Sequence, residues 1–143
     1  LVRAWKERGL RRLDSVCAEL VAEEVPRPQA QVLTYVPPDS DRQLERGHHP
    51  AERLARALSR RWDLPVLPLL SRRGPRRRQA GLRLGERRAN AREAFLARSC
   101  SGAAVCLVDD VYTSGSTVDA ASGALRRAGA GQVEVITLAR AVR

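Results

Sequence analysis

The spacing of apolar positions changes several times along the chain, and each change marks an element. Leu10, Leu13, Cys17, Leu20 and Val21 recur at helical intervals and predict an amphipathic helix over residues 10–24, ended by Pro26 and Pro28. Gln31 to Val36 is rich in β-branched and aromatic residues and predicts a strand, stopped by Pro37 and Pro38. Pro50 opens a second helical pattern through Ala51, Leu54, Ala55, Leu58 and Trp62. Val66 to Leu70 predicts a short strand, with Pro65 and Pro68 imposing an edge position or an irregular course. Residues 71–84 read as a long basic loop. Glu86 to Ala97 predicts a helix, with Ala91, Ala94 and Phe95 on one side. Ala104 to Val108 is an unbroken apolar run and predicts a central strand. Thr117 to Ala128 predicts a helix with Val118, Ala121 and Leu125 inward, closed by Gly129, and Val133 to Leu138 predicts the last strand. Strands alternating with helices imply an α/β fold, a central and mostly parallel sheet flanked by helices.

The run Val105-Cys106-Leu107-Val108-Asp109-Asp110-Val111-Tyr112-Thr113-Ser114-Gly115-Ser116-Thr117 carries the most chemistry. A strand buried on both faces is apolar throughout, and open α/β sheets bind ligands at the carboxyl ends of their strands. Asp109 and Asp110 fall at that end. Two neighbouring carboxylates accept hydrogen bonds from a vicinal diol, and such charge-assisted bonds are among the stronger ones. Thr113, Ser114, Gly115, Ser116 and Thr117 then offer hydroxyls and backbone N–H groups, with Gly115 allowing close approach of a ligand. The N-terminus of the following helix favours a phosphate. Asp-Asp after a strand is often a helix cap or a turn, and Ser or Thr before a helix is often only an N-cap. The two halves together, behind an apolar run, form a site for a sugar phosphate.

Composition narrows the class. The chain has 143 residues, which fits one domain, 1–143, able to bury roughly 68–70% of its unfolded surface. Its three cysteines, Cys17, Cys100 and Cys106, are far apart and form no C-x-x-C pair, so no disulfide framework or zinc site is indicated, and Cys106 reads as a small core residue. No apolar run reaches transmembrane length and no signal peptide is visible, so no membrane role and a cytoplasmic, reducing location are expected. The sequence begins at Leu1 rather than Met, as a segment of a longer protein would. Net charge is +10, and of the 26 basic residues all but Lys6 are arginine. Between Ser71 and Arg98 stand ten arginines against Glu86 and Glu93, a local net charge of +8. Such a stretch suits a highly charged anion, either a pyrophosphate or a nucleic acid; its plain alternative is a solvated loop.

The Asp109–Thr117 segment resembles the phosphoribosyl diphosphate (PRPP) signature of type I phosphoribosyltransferases. Further segments resemble their ComF-like branch, which includes proteins named for a role in natural competence. Val36-Pro37 with Arg42 and Arg46-Gly47 resembles its first signature. Gln79, Arg87-x-x-Asn90 and Ala94-Phe95 resemble its middle one, and Leu138-Ala139-Arg140 its ending. The chain departs from the branch in two places: His48, His49 and Pro50 stand where Phe-Asn-Gln is frequent, and the cysteines of an N-terminal zinc module are missing. His48 and His49, adjacent in sequence, read as surface or loop residues rather than metal ligands.

The resemblance implies a type I phosphoribosyltransferase fold, with residues 1–30 as a helical, hood-like segment and residues 71–85 as a mobile basic loop. It implies transfer of 5-phosphoribosyl from PRPP to an acceptor with release of pyrophosphate, and magnesium as the cofactor. Asp109 and Asp110 would be the catalytic pair, holding the ribose hydroxyls and helping to place magnesium through PRPP. Thr113, Ser114, Gly115, Ser116 and Thr117 would bind the 5-phosphate. Pro38, Asp39 and Ser40 would meet pyrophosphate through their backbone, and Arg72, Arg73, Arg76, Arg77 and Arg78 would belong to the loop that closes over the site. Purine-salvage members carry an Asp where Thr113 stands, and a threonine cannot act as a base near neutral pH, which disfavours hypoxanthine or guanine as acceptor. Two other readings remain open: a PRPP- or nucleotide-binding protein without turnover that regulates competence-machinery proteins, and a DNA-handling factor whose basic stretch touches phosphates non-specifically. A homodimer is the expected assembly by the same resemblance.

Overall fold

Four consecutive residues of one strand, Val105, Cys106, Leu107 and Val108, are fully buried in the computed structural model of the chain. The structure describes residues 12–38, 49–73, 94–112 and 115–140. Its elements, in order, are α1 (Arg12–Glu24), β1 (Val32–Tyr35), α2 (Pro50–Trp62), β2 (Leu70–Arg72), β3 (Phe95–Ala97), β4 (Ala104–Tyr112), α3 (Ser116–Arg127) and β5 (Gln132–Arg140). Strands β1, β4 and β5 form a parallel sheet in the order β1-β4-β5. Side chains of a strand alternate between faces, and β4 divides the core in this way. Cys106 and Val108 pack with Leu33, Leu54, Leu58 and Trp62 under α1 and α2. Val105 and Leu107 pack with Val32, Phe95, Ala121 and Leu125 under α3 and the β2–β3 ribbon. The expected α/β fold, a mostly parallel sheet flanked by helices, is the fold observed.

Local chemistry fixes the ends of the helices. Pro50 takes the first position of α2, and the preceding His49 accepts the Glu52 N–H at Nδ1, 3.3 Å away, so this histidine is a helix cap. The α2 helix stops at Asp63, which adopts a left-handed φ of 52°. Asp14 Oδ2 accepts the Arg53 Nε–H at 2.8 Å and pairs with the guanidinium, Nη2 also 2.8 Å away, which ties α1 to α2. The buried side of α1 is Cys17, Ala18 and Val21, while Leu20 of the expected stripe is exposed. Gly129, with φ +89°, ends α3 as expected.

Several expectations change. Val66 makes only a single parallel bridge to Leu33, flanked by Leu33 N–H to Pro65 O and Leu67 N–H to Leu33 O, and the ladder moves on to Leu70–Arg72. Pro65 and Pro68 lack the N–H groups that a continuous ladder over 66–70 needs. The second correction is larger. Of the helix expected over 86–97, residues 86–93 lie outside the described residues, and Phe95–Ala97 form a strand antiparallel to Leu70–Arg72. Phe95 is buried at 3% exposure, and the Arg72 guanidinium stacks on its ring at 4.7 Å. Tertiary pairing thus overrides a spacing that looked helical. Ser71 and Arg72, expected at the start of a mobile loop, belong to this ribbon.

Because β4 supplies both halves of the core, truncating it is expensive. Leu107→Ala is expected to lower unfolding free energy by about 2–5 kcal/mol, whereas Leu67→Ala, at a side chain 47% exposed, stays within about 0.5 kcal/mol. Denaturant titration of both variants checks this. Burial, with a smaller contribution from the Glu134 carboxylate, pushes the Cys106 thiol from 9.0 up to about 12. The folded state therefore favours the protonated thiol. That contribution is whole below pH 9 and is lost as pH rises toward 12. Unfolding titrations at rising alkaline pH should show stability falling, and the fall should be shallower in Cys106→Ala; an equal slope would contradict the assignment.

Candidate functional site at the carboxyl edge of the sheet

The apolar run of β4 ends where the strand reaches the carboxyl edge of the sheet, and two carboxylates follow at once. Asp109 is buried at 8% exposure and Asp110 is partly exposed. Each carboxylate turns back on the chain: Asp109 Oδ1 accepts the Asp110 N–H at 2.9 Å, and Asp110 Oδ1 accepts the Val111 N–H at 2.8 Å. These bonds fix both side chains where the apolar run of β4 ends, two residues before the end of the strand. On one side, Tyr35 pairs in register with Val108, and the Val36 N–H reaches Val108 O at 3.0 Å, so Pro37 and Pro38 leave β1 beside the acidic pair. On the other side, Thr137 of β5 pairs with Asp109 and Ala139 with Val111. Tyr35 is half-buried, with the His49 ring edge-on at 5.1 Å. Burial first, then the Glu52 carboxylate, pushes its hydroxyl above its ordinary pKa.

Gly115 is buried, has φ +78°, and caps a helix whose first internal bond is Asp119 N–H to Gly115 O at 2.8 Å. An α-helix leaves its leading N–H groups without intrahelical acceptors. Those of Thr117 and Val118 precede that first bond, and Gly115 itself makes no side-chain cap. The Tyr112 ring lies against Gly115: a Cβ there would fall on the phenol oxygen and 2.9 Å from Cζ. Tyr112 and Gly115 thus lie in close contact.

The structure brings Pro38, Asp109, Asp110, Gly115, Ser116 and Thr117 to one edge of the sheet. Thr113, Ser114, Asp39, Ser40, Arg76 and Arg77 lie outside the described residues. The Tyr112–Gly115 contact and the role of Arg72 were not read from the sequence. A tyrosine three residues before a glycine carries no signal of its own, and no local pattern announces that Arg72 will stack on Phe95. Among the described residues no group of three or more His, Cys, Asp or Glu could hold a metal ion, and no helix is long and apolar enough to cross a membrane. Two adjacent carboxylates do suit magnesium, a hard ion that binds through one or two carboxylates together with substrate phosphates.

A parallel sheet ending in paired carboxylates, a glycine turn and a helix N-terminus is the arrangement of a type I phosphoribosyltransferase fold, and solved structures agree. The chain matches the glutamine PRPP amidotransferase of B. subtilis with a TM-score of 0.65 at 22% identity, over 90% of this chain and 26% of that one. It matches the adenine phosphoribosyltransferase of Thermoanaerobacter pseudethanolicus with a TM-score of 0.53 at 12% identity, over 94% of this chain and 84% of that one. No protein-family model matches the chain. In sequence it is 35% identical over 142 residues to Competence protein F of Haemophilus influenzae, covering 96% of this chain and 62% of that protein. The chain therefore spans a little under two thirds of the curated relative it matches. The fold is thus that of the type I phosphoribosyltransferases, and the sequence is similar to Competence protein F over most of this chain.

Gly115→Ala is expected to cost about 1–2 kcal/mol from the left-handed backbone alone, with the Tyr112 contact adding to it. Thermal unfolding of this variant beside Gly123→Ala, within the same helix and at ordinary φ, measures the difference.

Proposed function

We propose that this chain binds PRPP with magnesium and transfers the 5-phosphoribosyl group to a nucleophilic acceptor, releasing pyrophosphate. The observation that carries the reading is the pair Asp109–Asp110, fixed where the buried run of β4 ends, a few residues before Gly115 and the α3 N-terminus. One end of that edge suits a diol and the other a phosphate. In the reaction the acceptor's lone pair forms a bond to C1 of the ribose as the bond from C1 to pyrophosphate breaks through an oxocarbenium-like state. Asp109 and Asp110 hold the ribose hydroxyls. Ser116, Thr117 and the N–H groups opening α3 hold the 5-phosphate, together with Thr113 and Ser114, and the helix dipole favours its negative charge. The backbone from Pro38 through Asp39 and Ser40 meets the pyrophosphate, and Arg76 and Arg77 contribute positive charge to it. Magnesium, when bound, neutralises part of the charge on the pyrophosphate. Holding the ribose still while charge develops is the main catalytic contribution of such a site.

A second reading has a specific basis: the 35% identical relative is named Competence protein F, and Thr113 stands where purine-salvage members have an Asp. In this reading the same site binds PRPP or a nucleotide without turnover and acts in DNA uptake or regulation through partner proteins. The basic stretch would then contact DNA phosphates, with an affinity that falls steeply as salt rises.

Calorimetric titration of Asp110→Asn beside the unaltered chain tests the shared core of both readings. Asp110→Asn is expected to weaken magnesium-dependent PRPP binding by about tenfold or more, the scale of a lost hydrogen bond to a charged group. Unchanged affinity would remove the acidic pair from the site. Pyrophosphate release across a panel of amines and bases then separates turnover from binding alone.

A further inference from the structure

We infer that Arg72 is a positioning residue that sets the exit of the chain from β1, and through it the part of the site that faces pyrophosphate; this second step rests on the PRPP reading. The need for such a residue is written in the backbone. The β1–β4 ladder extends one bond past the strand, from the Val36 N–H to Val108 O at 3.0 Å, and then meets Pro37 and Pro38. Neither proline has an N–H, so neither can donate to β4. What remains to hold this exit is its carbonyl groups, and they require a donor from elsewhere. Arg72 supplies it: Nε donates to Pro37 O at 2.8 Å.

The donor is itself fixed. Its guanidinium lies 4.7 Å over the Phe95 ring, and Phe95, at 3% exposure, belongs to the core that also holds Val36, Val105 and Leu107. Arg72 and Phe95 are also register partners in the β2–β3 ribbon. A planar guanidinium can stack on a ring while an N–H in its plane points sideways at a carbonyl; a lysine ammonium can donate but cannot stack in the same way. The result is a bracket from the buried ribbon to the end of β1, at the level where β4 presents Asp109 and Asp110. Removing it loosens the direction in which Pro38 leads away from the sheet. The bracket's bond goes to Pro37 O, at the β1 end of the site, and its other contact is the Phe95 ring. Arg72 therefore acts on one end of the site and not on the other.

Two measurements on Arg72→Gln and Arg72→Lys test this. The first needs no ligand. Amide hydrogen exchange at Val36 should quicken by about tenfold in Arg72→Gln, the scale of one charge-assisted bond, with less change in Arg72→Lys. Exchange at Val36 as slow as in the unaltered chain would overturn the positioning role, whether or not the protein binds PRPP. The second compares two ligands by calorimetry. Arg72→Gln should weaken PRPP by about tenfold while ribose 5-phosphate, which lacks the pyrophosphate, stays within about twofold, and Arg72→Lys should recover part of the loss. Equal weakening of both ligands would make Arg72 a general structural residue, and unchanged PRPP affinity would detach it from the site. If the unaltered chain bound neither ligand, the PRPP reading would fall by itself, and Val36 exchange would still decide what Arg72 does to β1.

Discussion

Strand β4 has no solvent-facing side until it reaches its last residues, and the remaining structure answers to that fact. A strand buried on both faces requires a layer above and a layer below. The α1–α2 pair covers Cys106 and Val108, and α3 with the β2–β3 ribbon covers Val105 and Leu107. Parallel neighbours on both edges then point the carboxyl ends of three strands the same way, with β1 ending level with Val108 and β4 and β5 paired on to Tyr112 and Arg140. The first polar side chains that β4 presents, Asp109 and Asp110, emerge there. Their carboxylates are held by the next N–H groups of their own backbone. The candidate site is the place where a fully apolar strand first meets the surface.

The same constraint explains what could be read in the sequence. A continuous apolar run and a glycine before a helical pattern are local, so β4 and α3 were legible, as were Pro50 at the start of α2 and Gly129 at the end of α3. The misreadings lie where a distant partner decides. Phe95–Ala97 looked helical because Ala91, Ala94 and Phe95 share a helix face. It is a strand because Leu70–Arg72, more than twenty residues earlier, offers a ladder and a cation for the Phe95 ring. His49 looked like a loop residue and is a helix cap, a role that histidine fills less often than Ser, Thr, Asp or Asn. Leu20 fitted the helical stripe of α1, but α2 packs over the neighbouring Cys17 and Val21 instead.

Charge divides the molecule in a way that composition alone conceals. Among the described residues whose side chains are placed, ten arginines stand against ten carboxylates, so the layered core is electrically balanced. The whole excess of +10 belongs to the remaining positions, with seven arginines between Gly74 and Glu93 against Glu86 and Glu93. Arg73 and Ala94 flank that stretch, and the Arg73 N–H donates to Ala94 O at 3.0 Å. Both of its ends are thus gathered at the β2–β3 ribbon, the same element from which Arg72 reaches the end of β1. One small ribbon, invisible to sequence periodicity, links the acidic edge of the sheet to the most basic part of the chain.

The central claim is that the edge formed by Asp109, Asp110 and the Gly115 turn receives a ribose 5-phosphate carrying a pyrophosphate. A crystal structure of the chain grown with PRPP and magnesium tests it most directly. The account predicts ribose hydroxyls against Asp109 and Asp110, the 5-phosphate at the N-terminus of α3, and the pyrophosphate on the side of Pro37 and Pro38. A ligand bound elsewhere, or a ribose turned away from the acidic pair, would contradict it.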